Sequence, residues 1–105
     1  MIVAQVRFPI AVADQQKFID QMAATTPKYE GLDGLIRKYY MIAEDGNSAC
    51  GLYLWESKEK ALAWYNDEWT QYMTEAWGQP PQITYYQCPI VVDNEVDKTT
   101  VEAAA

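Results

Sequence analysis

A chain of 105 residues, half of them hydrophobic, has room for one packed domain with its own core and none for a separate cofactor-binding domain. Fifteen acidic side chains against eight basic ones leave a net charge of -7, which argues against nucleic-acid phosphates and anionic membrane surfaces as partners. Histidine is absent altogether, so the commonest metal ligand and the usual general base are both missing. Only Cys50 and Cys88 carry thiols, and both fall in strand-like stretches, as small buried hydrophobes in a reducing cytosol would. The start, MIVAQVRFPI, lacks a signal peptide's basic and long apolar regions, and no stretch is apolar enough to span a membrane. A cytoplasmic protein is expected, with no membrane or nucleic-acid partner.

Residues 2 to 9 alternate Ile2, Ala4, Val6 and Phe8 against Val3, Gln5 and Arg7, the period of a strand. Asp14 then caps a predicted helix running to about Thr25, with Phe18, Ile19, Met22 and Thr26 on its inward stripe and Pro27 ending it. Gly31 and Gly34 lead into a second strand at 35 to 43, and Asp45-Gly46 predicts a tight hairpin into a third at 49 to 56. Ser57 opens a second helix predicted as one piece from Lys58 to Trp77, stopped by Gly78 and Pro80-Pro81. Residues 82 to 92 form the last predicted strand, with Pro89 implying an edge or a bulge. Residues 1 to 94 are thus expected as one domain and 95 to 105 as a mobile or partner-clasping tail. Asp93, Glu95 and Asp97 lack the spacing of a calcium loop and are read as solvated charge; no metal site is expected.

The order strand, helix, strand, strand, helix, strand is that of a ferredoxin-like β-α-β-β-α-β sandwich, an α+β fold with a four-stranded antiparallel sheet. Its two helices cover one sheet face, yet the strands carry bulky groups on both parities: Leu35, Tyr39 and Met41 against Ile36, Tyr40 and Ile42, and Tyr53 and Trp55 against Leu52 and Leu54. The second apolar face calls for another copy of the chain, which makes a homodimeric α+β barrel.

On this layout the stretch GLIRKYYMIAEDGNSACGLYLWESKEKALAWYNDEW resembles the YdhR-like monooxygenases, within the wider antibiotic-biosynthesis-monooxygenase group. The resemblance runs from the first strand to VVDN at 91 to 94 and is carried by Gly-Leu-Ile-Arg-Lys, Gly-Leu-Tyr-Leu-Trp-Glu-Ser and Glu68-Trp69. It implies a dimeric α+β barrel and, as a default, oxygenation of a phenol- or quinol-like aromatic substrate without flavin or metal. Members that degrade haem carry a tryptophan where Trp64 stands and an iron-ligating histidine near the position of Thr74, so this chain departs from them at the ligand.

All four tryptophans fall between Cys50 and Gly78, more than a minimal core needs, and favour an aromatic cavity or interface. On a continuous helix Ala61, Leu62, Tyr65, Trp69, Tyr72, Met73 and Ala76 share the inward arc, with Trp64, Glu68 and Glu75 at its edge. Glu68 then lies one turn from Trp64, Tyr65 and Tyr72; shielded from water there, its carboxylate becomes a general base. Glu68 and Trp64 are therefore the expected catalytic residues. Tyr53, Trp55, Trp69, Tyr72 and Tyr85 are the expected substrate walls, and Arg37 or Lys38 the holder of a developing oxyanion; neighbouring strand residues face opposite ways, so only one of those two reaches a given pocket. The expected function is thus a monooxygenase of a small aromatic ligand that uses no cofactor. A non-oxidative cyclase or isomerase using Glu68 as base, and a non-catalytic small-molecule-binding or stress-related dimer, are the alternatives, the last requiring the aromatics to fill the core.

Overall fold

The alternation read at the start of the chain becomes a strand whose central even positions, Ala4 and Val6, bury while its odd ones do not. In a computed structural model, which describes residues 1–103, β1 (Ile2–Phe8) runs through the middle of a four-stranded sheet with Ala4 and Val6 fully buried. The sheet order is β2 (Leu35–Ile42), β3 (Ala49–Trp55), β1, β4 (Gln82–Gln87), with every neighbouring pair antiparallel. The Asp45-Gly46 hairpin joins β2 to β3 as predicted, with Gly46 at φ 74°. Helices α1 (Gln15–Ala23), α2 (Lys58–Trp64) and α3 (Asp67–Trp77) complete a ferredoxin-like α+β fold. The Asp14 carboxylate caps α1 by accepting from the Lys17 amide at 3.0 Å, and a 3-10 turn at Thr26–Lys28 follows.

Register explains the core. Along β3 every second residue, Ala49, Gly51, Tyr53 and Trp55, is buried, and these lie beside Phe8, Val6, Ala4 and Ile2 of β1. On β2 the partners of Ala49, Gly51 and Tyr53 are Ile42, Tyr40 and Lys38, whereas Trp55 pairs with Leu35. The register slips by one residue between Leu35 and Arg37, a bulge that leaves Ile36 exposed. The helix-facing side of the sheet closes over Tyr53, Trp55, Ala61, Tyr65 and Trp69. The opposite side leaves Tyr39, Met41 and Tyr86 exposed and Leu52 and Leu54 half-buried.

Two elements differ from the sequence reading. The single helix expected over 58–77 is two: Tyr65 (φ -83°, ψ 56°) ends α2, and the Asn66 side chain caps α3 by accepting from the Trp69 amide at 2.8 Å. An Asn that satisfies the first-turn donors of a new helix competes directly with continuation of the old one. The break is anchored in the core, where the Trp55 indole N–H donates to the Tyr65 hydroxyl at 3.1 Å.

The strand expected over 82–92 is also two. Pro89 offers no amide to a ladder, the chain leaves the sheet after the Cys88 amide has bonded to the Met1 carbonyl at 2.9 Å, and β5 (Ile90–Asp93) pairs instead with β6 (Lys98–Val101). Most of the segment expected as a tail therefore belongs to this hairpin; its last residues, 104–105, lie outside the described residues. Asp93, read from sequence as solvated charge, accepts from the Arg37 guanidinium at 2.8 Å and from the Glu95 amide at 3.1 Å, and the Arg37 bond holds its carboxyl below the usual range. No group of three or more His, Cys, Asp or Glu side chains with metal-site geometry occurs among the described residues.

Candidate functional site

Between the sheet, α1 and α3 lies a cavity of about 130 Å³. Its floor is the end of the sheet where small residues leave space: Ala49 and Gly51 of β3 stand beside Phe8 of β1 and Tyr40 and Lys38 of β2. Phe18 and Met22 of α1 form one wall, Tyr72, Met73 and Trp77 of α3 another, and Thr25, Lys28 and Tyr29 of the connecting turn a third. Trp77 holds the walls together, its ring 5.9 Å from that of Phe8 and 6.0 Å from that of Phe18. A second hollow of about 230 Å³ lies between α1 and the edge of β2, but it is shallow and no charged side chain lines it, so it offers nothing to catalyse with.

The cavity's charge runs against that of the chain. Both ionic groups in its lining are lysines, Lys28 and Lys38, and none of the fifteen acids contributes. The Lys38 Nζ sits over three tyrosine rings, 3.5 Å from the centroid of Tyr29, 3.8 Å from Tyr40 and 4.6 Å from Tyr53. No carboxylate pairs with it among the described residues, the ion pairs there being Met1–Glu102, Arg37–Asp93 and Lys60–Asp33. Burial, helped by the charge of Lys28, pushes the Lys38 ammonium down to about 7, while the three ring faces attract the charged form and oppose that shift. Burial raises the phenol groups of Tyr29, Tyr40 and Tyr53, so the cage stays uncharged across the ordinary pH range. Lys28 lies over the ring of Tyr72 at 5.2 Å. The Tyr40 hydroxyl is paired with that of Thr25 at 2.8 Å.

Of the side chains expected from sequence to form the site, Tyr53, Tyr72 and Lys38 line this cavity. Trp55 and Trp69 are packed in the core, Trp55 stacked parallel on Tyr53 at 6.1 Å and Trp69 against Tyr65 at 4.9 Å. Tyr85 lies on the far side of Tyr65, beneath the Lys58 ammonium at 4.1 Å. Trp64 stands behind Tyr29, 5.5 Å away, with Tyr29 between it and Lys38. The indole nitrogens of Trp64 and Trp69 are buried without a hydrogen-bond partner among the described residues. Glu68 sits in the first turn of α3, exposed and outside the cavity lining, so the water-shielding expected of it on a continuous helix is not found. Arg37 faces away from the cavity, and Lys38 takes the inward position of that pair.

Lys28, Tyr29 and Trp77 were not assigned to the site from sequence, and Lys38 was named there only as the alternative to Arg37. The signal for Lys38 was its shared parity with Tyr40 and Ile42, which places a cation on the core face of a strand.

Among solved structures the chain is similar to a monooxygenase from the gene ActVA-Orf6 of Streptomyces coelicolor in complex with the ligand nanaomycin D, at 21% identity and TM-score 0.64, covering 83% of this chain and 86% of that one. It is similar to an antibiotic biosynthesis monooxygenase, described as putative, from Deinococcus radiodurans at 12% identity and TM-score 0.65, covering 89% and 97% of the two chains. A protein of the same description from Bordetella bronchiseptica matches at 16% identity and TM-score 0.60, covering 83% and 95%. At these identities the likeness is one of fold. No curated protein sequence matches the chain. The sequence profile of the family described as "Putative mono-oxygenase ydhR" matches residues 3–84, from β1 through the three helices into the first half of β4, and the chain belongs to that family.

Proposed function

We propose that this protein is a monooxygenase of small phenol- or quinol-like compounds that uses the substrate's own electrons to reduce dioxygen, with no cofactor. The observation that carries this reading is the apolar cavity over Gly51, walled by aromatic rings and bearing cations but no carboxylate. Its size selects among aromatic ligands. A volume near 130 Å³ approaches the ~150 Å³ that holds benzene and falls below the ~300–1,000 Å³ of sites for drug-sized ligands, so one ring fits inside and anything larger projects from the mouth. That the Streptomyces monooxygenase was solved in complex with nanaomycin D supports a bound ligand for this fold.

A quinol can supply all four electrons that dioxygen needs: one oxygen atom enters the ring, the other leaves as water, and the ring ends as a hydroxyquinone. The protein's part is to hold the ring among Tyr53, Phe18 and Trp77, exclude water, and offer positive charge to the oxygen of the ionised substrate. An oxygen electrode with a series of single-ring quinols tests this. Saturable uptake lost on filling the cavity with Gly51→Leu is expected; uptake unchanged by that substitution would sink the assignment. Turnover without oxygen consumption would favour cyclisation or isomerisation. Trp64→Ala and Glu68→Gln belong in the same series, because Trp64 backs the Tyr29 wall and Glu68 is the nearest acid in the sequence-based reading.

The working form we infer is a homodimer. Tyr39, Met41 and Tyr86 are exposed on the sheet face opposite the helices, with Leu52 and Leu54 between them, and the hairpin adds exposed Ile90, Val92, Val96 and Val101. An apolar surface on both sheet and hairpin is unusual on a monomer and suits a symmetric seam between two copies. Light scattering is expected to give the mass of two chains, and Tyr39→Asp with Leu52→Asp to give one. A wild-type monomer at micromolar concentration would contradict it.

A further inference from the structure

We propose, building on the oxygenation reading, that Lys38 is the proton acceptor and counter-ion of the site, and that the cavity takes acidic single-ring hydroxyaromatic compounds and holds them as phenolates. Three observations carry this. The cavity gathers two cations, Lys28 and Lys38, and no acid, in a chain whose acids outnumber its bases fifteen to eight. An anion is the ligand that such a lining favours and a cation the one it rejects. Second, the Lys38 Nζ is held by ring faces alone, at 3.5, 3.8 and 4.6 Å, so no carboxylate has to be displaced before it can bond to a ligand oxygen. Third, the buried phenol and thiol groups beside Lys38 are held in their protonated forms. From the turn it meets Lys28 and Tyr29, from its own strand Tyr40, from β3 Tyr53 and Cys50, and from α3 Tyr72; α1 adds only Phe18 and Met22. Burial raises Tyr29, Tyr40, Tyr53 and Cys50, which leaves them protonated, while the Lys38 ammonium is brought down to about 7.

With the amine neutral, the phenol O–H bond breaks, its proton joins the Nζ lone pair, and the electron pair stays on oxygen; nothing is oxidised or reduced. With the amine already charged, the phenol gives its proton to water and meets the same ammonium. Either route ends in a phenolate paired with Lys38, the electron-rich form from which transfer to dioxygen begins. Glu68, exposed and outside the lining, is not required for this step.

4-Nitrophenol reports the step directly, because only its phenolate is yellow. Titrated below the pH at which the free phenol ionises, the full chain is expected to generate the phenolate band as it binds. Lys38→Met should bind at least about tenfold more weakly and give no band, since it loses a charge-assisted hydrogen bond. Lys38→Arg, a fixed cation that accepts no proton, should restore the band through the counter-ion role alone, the phenol's proton going to water. Binding of the neutral phenol by wild type, no binding at all, or a full band in Lys38→Met would each overturn the proposal. Quinol-dependent oxygen uptake by Lys38→Met at the wild-type rate would overturn it while leaving the oxygenation reading in place.

Discussion

Trp55→Ala is expected to lower the free energy of unfolding by about 3–5 kcal/mol, the usual cost of emptying a buried tryptophan site. Trp55 is fully buried at the centre of the helix-facing core. Its ring stacks on Tyr53 at 6.1 Å and meets the edge of Tyr65 at 5.7 Å. Its indole N–H gives the Tyr65 hydroxyl a partner at 3.1 Å, so the truncation also strands a buried phenol beside the break between α2 and α3. Domains of this size are stable by only about 5–15 kcal/mol, which makes the loss a large fraction of the total. Trp55→Phe keeps most of the ring and drops the hydrogen bond, and should cost about 1–2 kcal/mol. Urea unfolding followed by circular dichroism checks both; a cost below about 1 kcal/mol for Trp55→Ala would show that the core collapses around the gap.

Lys38→Met is expected to stabilise the protein at pH 6 and to make little difference at pH 10. The folded chain brings the Lys38 ammonium down to about 7 from its ordinary 10.5, chiefly by burial. A cation depressed in the folded state binds fewer protons there than in the unfolded chain between those two values, so wild-type stability climbs as pH rises from about 7 to 10.5. Below pH 7 the folded protein carries the buried charge and its full cost. Partial exposure to water and the attraction of the three ring faces reduce that cost, and a gain of about 1–2 kcal/mol at pH 6 is expected for the methionine variant. Paired urea melts at the two pH values check it. Equal stability at pH 6 would mean that the tyrosine rings compensate the buried ammonium completely.

A stabilising substitution at a position that also binds ligand is the usual mark of a site kept at the expense of the fold. Glu68 and Lys38 contrast instructively here. The carboxylate looked suited to catalysis only while the helix over 58–77 was continuous; Asn66 ends that continuity and leaves Glu68 in solvent. Asn66 is a good capping residue in any sequence, but helical periodicity on both sides of it masked the break.

The sheet was legible because alternation and turn chemistry are local: β1, the Asp45-Gly46 hairpin and the Ser57 cap all stand where the residues put them. The hairpin of β5 and β6 was not, although Pro89 marked the place where the chain leaves the sheet. Pairing between 90–93 and 98–101 depends on a turn with Asp97 at φ 49°, a conformation that a non-glycine residue adopts only in context. The cavity was legible only in part. Tyr53 and Tyr72 line it, but Phe8, Phe18, Tyr29 and Trp77 reach it from four separated segments, and tertiary packing alone brings those together.

The bulge at Ile36 decides which base the cavity receives. In a strand of strict alternation Leu35 and Arg37 would share a face, and a core anchored by Leu35 would draw Arg37 inward with it. The extra residue reverses the parity beyond it, so Leu35 and Lys38 both point at the helices while Arg37 turns out to hold Asp93. An arginine in the cavity would be a permanent cation, able to hold an anion but never to accept a proton. One added residue at the edge of a sheet thus exchanges a fixed charge for one that can be switched.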